Sequence, residues 1–202
     1  MRHKNHLSAT KKYKTVISAV HAIYRLVNST FELKDLVLRL VRLLCQIFNS
    51  HYCLVTLLDS TKEYSLIRCL VIGKNKYTND KRTKISNRIE KRIIKKLTAI
   101  RQDGLLGIPL VCEDITGIII VKRDKKEAPF DRFDQEILMT IGEQAIIGIK
   151  TLQLYEEQQK IILGSIKSLV TLLDTRVPQE YTHSPYFSHI VMMIAHQIHL
   201  DE

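Results

Sequence analysis

Between residues 13 and 27 the apolar positions are Val16, Ile17, Val20, Ile23, Tyr24 and Val27, which lie on one face of a helix. Asn28-Ser29-Thr30 breaks the pattern and offers a cap for the next helix. That second helix is predicted over 32–48, with Leu33, Leu36, Val37, Leu40, Leu43, Leu44 and Ile47 along a broad stripe. Strand-like runs at 51–58 and 64–72, separated by the polar segment 59–63, read as a hairpin. A further helix is predicted around 85–100, its apolar face made of Ile85, Ile89, Ile93, Ile94 and Leu97. Runs at 105–111 and 115–122 make a second hairpin that turns at Glu113-Asp114, and Gly107 and Gly117 mark close packing or bulges within it.

After Pro129 a long helical pattern runs from about 131 to 173. Its seam steps by four and three through Ile141, Ala145, Gly148, Leu152, Tyr155, Gln159, Ile162, Ile166, Leu169 and Leu173, about four heptads. A single small domain is not expected to bury so long a seam, so a partner helix is the expected solution. Val177-Pro178 interrupts the pattern, and a last helix is predicted over 184–199.

Composition narrows the class. With 202 residues, 45% hydrophobic, 7 Gly and 4 Pro, the chain can build one ordinary domain plus an appendage and does not read as disordered. Trp is absent, so the core is expected to be aliphatic. Cys45, Cys53, Cys69 and Cys112 lie in apolar runs with no CxxC pair, which reads as reduced core thiols in a cytoplasmic protein. No secretory signal or membrane-spanning run is found. The net charge of +10 is concentrated between Lys74 and Arg101, where eleven Lys and Arg less two acids, Asp80 and Glu90, leave +9. Such a stretch fits a nucleic acid or an anionic small ligand. Tyr77 is its one aromatic, which gives base stacking little support, so nucleic acid is not the expected partner.

Residues 107–157 carry a Pro109-Leu110 step, Gly117 followed by three Ile, Pro129-Phe130 separated by three residues from Asp134, and a helix running through Ala145-Ile146 to Leu154-Tyr155-Glu156-Glu157. This resembles the closing half of a GAF sensory domain of the bacterial type, and with the front half the resemblance covers about 15–157. It implies an α+β fold: an antiparallel sheet flanked by helices, a long C-terminal signalling helix and a short helical tail. It also implies a homodimer through the N- and C-terminal helices and an unknown small ligand under a segment that includes Arg88, Arg92 and Lys95. Cyclic-nucleotide-binding members carry Asn-Lys ahead of Phe-x-x-x-Asp-Glu. Here Phe130 and Asp134 match, Gln135 replaces the Glu, and Arg123-Asp124 stand where Asn-Lys would be, so no cyclic nucleotide is assigned.

Residues 169–202 resemble the opening of an HD-GYP or related HD-type phosphohydrolase domain. Leu173, Asp174, Arg176 and Pro178 form the front, His183-Ser184 the pair, and Ile194-Ala195 and Ile198-His199-Leu200 the helix end. Val177 stands in place of the usual Asp and His199 in place of a Gly. The resemblance makes His183 a single candidate metal ligand, while the His-Asp pair that names the family falls beyond Glu202. The expected organisation is a basic, disordered 1–12, a GAF domain at 13–157, a helical linker at 158–176 and a truncated HD-type start at 177–202. A divalent metal is expected only with a complete HD domain, and no catalytic residue is assigned to this chain. Its expected function is regulatory, relaying a ligand or partner signal to an HD-type output. The alternatives are a fragment of a metal-dependent cyclic di-GMP phosphodiesterase and a basic nucleic-acid-binding regulator.

Overall fold

The central strand β1, Tyr52–Leu58, is buried at every position after its first, so the sheet is covered on both faces. This computed structural model describes residues 14, 17–27, 29, 32–73, 75–79, 81–102, 104–113, 115–124, 126–176 and 185–197. A helical segment α1 (17–27) and α2 (Leu33–Ile47) precede β1. Then come β2 (Tyr64–Ile72), β3 (Asn75–Asn79), β4 (Thr83–Lys84), α3 (Arg88–Lys96), β5 (Ile100–Gln102), β6 (Leu105–Cys112), β7 (Ile115–Lys122), α4 (Arg132–Arg176) and α5 (Pro185–Gln197). The seven-stranded antiparallel sheet has the order β3-β2-β1-β7-β6-β5, with β4 also paired to β2. The fold is α+β, as the sequence predicts.

Alternation along the strands sends side chains to two cores. Cys53, Val55 and Leu57 of β1 join Ile119 and Val121 of β7 and Ile108 of β6 against α1, α2 and the start of α4. Leu54 of β1 with Ile118 and Ile120 of β7 faces the other way and packs against Ile93 of α3. Gly107 and Gly117 serve close packing. A Cβ on Gly107 would meet Ile93 Cδ1 at 2.6 Å, and one on Gly117 would meet the Thr56 carbonyl at 2.7 Å.

Chain entry into α4 is fixed by a reciprocal cap. Asp134 N–H donates to Asp131 Oδ1 at 2.7 Å, and Asp131 N–H donates back to Asp134 Oδ2 at 3.0 Å. Both carboxylates also favour the helix N-terminus. Arg123 holds the same corner. It stacks over the Phe130 ring at 4.1 Å, donates to the Phe48 carbonyl at 2.8 Å and forks onto Asp134 at 3.1 and 3.3 Å. Phe48 and Phe130 meet edge to face, with ring centroids 6.2 Å apart. Arg123, Phe130 and Asp134, set against the cyclic-nucleotide pattern in the sequence, thus build a structural clamp.

Three expectations need correction. The predicted helix at 85–100 is shorter, Arg88–Lys96. Asn87 caps it by accepting from Ile89 N–H at 2.8 Å, worth about 1 kcal/mol. Leu97 ends it in the left-handed region at φ 49, a role sequence reasoning reserves for Gly or Asn. Second, β3, β4 and β5 lie in the basic region without having been predicted, because their residues are mostly exposed and polar and show no alternation. Third, the first part of the seam does not await a partner. Ile141, Ala145 and Leu152 lie in this chain's own core, and Gly148 lets α4 close onto Val27 of α1.

Contacts divide the chain into residues 1–153 and 154–202. In the second unit Ile161, Ile162, Leu169 and Leu172 of α4 are exposed, as are Tyr186, Val191, Met192, Met193 and Ile194 of α5. No described helix is long and apolar enough to cross a membrane.

Candidate functional site

The β1–β2 turn, β4 and α3 surround a cleft of about 300 Å³. Its floor is Ile85 and Ile94, and its walls are Lys62, Lys84, Lys91 and Lys95 facing one carboxylate, Glu63. Each lysine is placed by local structure. Asp59 organises the turn: its carboxylate accepts from Thr61 Oγ1 at 2.7 Å, Arg82 at 2.7 Å and Tyr64 N–H at 3.3 Å, and its carbonyl accepts from Lys62 N–H at 2.9 Å. The Thr61 hydroxyl, and after it Arg82, holds the Asp59 carboxyl below the usual carboxylate range. Lys62 takes φ 59, which turns it towards the cleft. Lys84 is set opposite Tyr64 by pairing of β4 with β2. Ile85 N–H donates to the Glu63 carbonyl at 2.9 Å and closes the floor. Lys91 and Lys95 are one turn apart on α3.

Of the lid residues expected from sequence, Lys95 lines this cleft. Arg88 and Arg92 are exposed and not part of it; they share a different line of α3, at i and i+4. Sequence reasoning missed Lys62 and Lys84, which reach the cleft through a turn and a two-residue strand that periodicity does not reveal. Four ammonium groups around an apolar floor suit an anionic ligand with a flat or aliphatic part; lysine acts on phosphate as a point charge.

Beneath α3 the sheet holds a buried ion pair. Glu90, only 1% exposed, accepts from both Arg68 terminal nitrogens at 2.8 Å. Arg68 pairs directly with Thr56 across β1 and β2. Glu90 raises the affinity of the Arg68 guanidinium for its proton. Tyr52 lies on the same face; burial, and next the Glu90 charge, push its phenol up. Ile93, beside this pair, fills the space over Gly107. The expected ligand position under α3 is therefore packed by the chain's own side chains, and the open volume lies at the helix's flank.

His183 and His199 lie outside the described residues, as do residues 1–12 and 177–184. Among the described residues no three His, Cys, Asp or Glu stand together to hold a metal ion.

This fold, an antiparallel sheet with α3 on one face and α1, α2 and α4 on the other, is that of GAF domains. The structure is similar to the GAF domain of a phosphoenolpyruvate-protein phosphotransferase from Coxiella burnetii, with TM-score 0.56 and 14% identity over 71% of this chain and 98% of that one. It is also similar to the GAF domain of an Acinetobacter phosphoenolpyruvate-protein phosphotransferase, with TM-score 0.55, 15% identity, and 70% and 97% of the two chains covered. A third similar structure is residues 122 to 287 of a methyl-accepting chemotaxis protein, with TM-score 0.58, 9% identity, and 66% and 98% covered. No family model matches the sequence, and no curated protein matches it.

Proposed function

We propose that the chain is a regulatory GAF module that takes up a small phosphorylated anion in the lysine cleft and relays its presence through α4 to an HD-type output. The observation that carries this reading is the convergence of Lys62, Lys84, Lys91 and Lys95 on one cleft against the flank of α3. A route from α3 to α4 supports it. Successive residues of β6 touch the two helices: Gly107 gives its space to Ile93 of α3, and Ile108 Cδ1 lies against Gly142 of α4. A ligand that binds one position of α3 better than another shifts that packing by its difference in affinity.

Calorimetric titration of the full chain with inorganic pyrophosphate, and separately with ATP, tests the ligand class. Binding of at least one probe is expected, weakened about tenfold or more by combined Lys84→Ala, Lys91→Ala and Lys95→Ala. Arg88→Ala with Arg92→Ala is expected to change it by less than about twofold, within the range of a surface charge outside the site. Equal affinity of the wild type and the triple variant for both probes sinks the proposal.

The output rests on the likeness of residues 169–202 to an HD-type opening. The chain itself is proposed to be non-catalytic, since one candidate ligand, His183, cannot hold a metal and its activated water. Incubation with cyclic di-GMP and added manganese or iron is expected to give no turnover. Turnover that His183→Ala abolishes would overturn this.

A further inference from the structure

Beside the lysine cleft, the turn between β3 and β4 builds a flat surface. Lys81 N–H donates to Asn79 Oδ1 at 2.9 Å, Asn79 Nδ2 donates to Thr83 Oγ1 at 3.1 Å, and Thr83 Oγ1 donates to the Lys81 carbonyl at 3.0 Å. Ser65 Oγ donates to the Thr83 carbonyl at 3.2 Å and ties the turn to β2. The tied turn presents Arg82, whose guanidinium lies over the Tyr64 ring at 4.3 Å and donates to Asp59 at 2.7 Å. Contacts to two different groups therefore hold the guanidinium in one plane. Its charge is matched by Asp59, yet the Arg82 side chain remains 59% exposed. What it offers outward is a held planar face rather than a free cation. Tyr64 is the cross-strand partner of Lys84 and follows Glu63 in sequence, so this face adjoins two of the residues that line the cleft. From Arg82 to Lys84 the backbone advances about 7 Å.

We propose, resting on the reading of the cleft as an anion site, that the cleft and this face together take a nucleoside polyphosphate, its phosphates held by the lysines and its base stacked on the Arg82 guanidinium. Charge sets the length of the phosphate run. Lys62, Lys84, Lys91 and Lys95 less the one carboxylate, Glu63, leave +3. A phosphate monoester brings about −1.5 to −2 at pH 7 and does not balance this, whereas a di- or triphosphate does. Glu63 points the same way. In a site for inorganic phosphate, a carboxylate among four ammonium groups only repels the ligand. Between a base and a phosphate run it meets the pentose that joins them, and a carboxylate accepts hydrogen bonds from pentose hydroxyls. The guanidinium completes the set. Planar, delocalised and weakly hydrated, it stacks on π-faces, and every nucleobase has one.

Titration of the full chain with ATP and with inorganic triphosphate, both without divalent metal, tests this. The two ligands carry the same run of phosphates, and inorganic triphosphate has the higher negative charge, so charge alone favours it. ATP is nevertheless expected to bind about tenfold or more tighter, the order that a stacked base contributes. Arg82→Lys keeps the charge beside Asp59 and removes the flat face. It is expected to erase the preference for ATP while leaving the affinity for triphosphate within about twofold, which also shows that the chain is folded. Glu63→Ala is expected to strengthen triphosphate binding and to narrow the preference for ATP. Triphosphate binding that the lysine variants weaken, with ATP no tighter, overturns the nucleoside assignment and leaves the anion site standing. No binding of either ligand removes both. A preference for ATP that survives Arg82→Lys places the base elsewhere and overturns the stack.

Discussion

Replacing Arg68 with Met is expected to destabilise the fold by about 3 kcal/mol. The cost comes from what is left behind. Glu90 is 1% exposed, and its carboxylate finds both its charge partner and two hydrogen bonds in Arg68. Without Arg68 the carboxylate must stay charged in an apolar setting, take up a proton, or pull the start of α3 off the sheet. Glu90→Gln should cost less, about 1–2 kcal/mol, because the guanidinium it abandons retains some contact with water and the amide still accepts one bond. Arg68→Met with Glu90→Leu should recover most of the loss, since a well-packed apolar pair replaces a buried ion pair at little net cost. Urea unfolding of the wild type, both single variants and the double variant measures the cycle. If Arg68→Met costs less than about 0.5 kcal/mol, as an ordinary surface change would, the pair does not hold α3.

The parts of this fold that read clearly in the sequence are those where burial imposes a period. The apolar strands β1, β2, β6 and β7 were legible because their runs of Ile, Leu and Val are bounded by polar turns, and α2 because its stripe faces one side. β3 and β4 were not, since Lys76, Tyr77 and Lys84 are all exposed and nothing on an exposed edge selects one residue over the next. The end of α3 was missed because Leu97 adopts a left-handed conformation that its side chain disfavours. The site was half legible. Charge density pointed to the stretch that borders the proposed cleft, but a count of charges cannot tell which side of α3 faces it. Lys95 and Arg92 differ only in which line of the helix they occupy, and Lys62 joins the cleft from thirty-three positions upstream of Lys95 through a turn that Asp59 builds.

The heptad seam divides at the same level of detail, and the division predicts opposite outcomes for two like substitutions. Leu152 and Ile162 stand on one heptad line in the sequence. Leu152 is 8% exposed and belongs to the main core, whereas Ile162 is 47% exposed in the second unit. Leu152→Asp removes buried methyls and introduces a charge with no partner, so it is expected to destabilise the domain by about 4 kcal/mol whatever the association state. Ile162→Asp is expected to leave the unfolding midpoint of residues 1–153 unchanged within about 0.5 kcal/mol. If two chains pair along the exposed continuation of the seam, through Tyr155, Ile162 and Leu169, the same change places two carboxylates against each other and abolishes the pairing. Sedimentation of Ile162→Asp at micromolar concentration then gives a monomer with native circular dichroism. A dimer that survives Ile162→Asp with Leu169→Asp removes this stretch from the interface. A stable, folded Leu152→Asp chain would show that the first half of the seam faces outward after all, against the packing of Leu152 in the core.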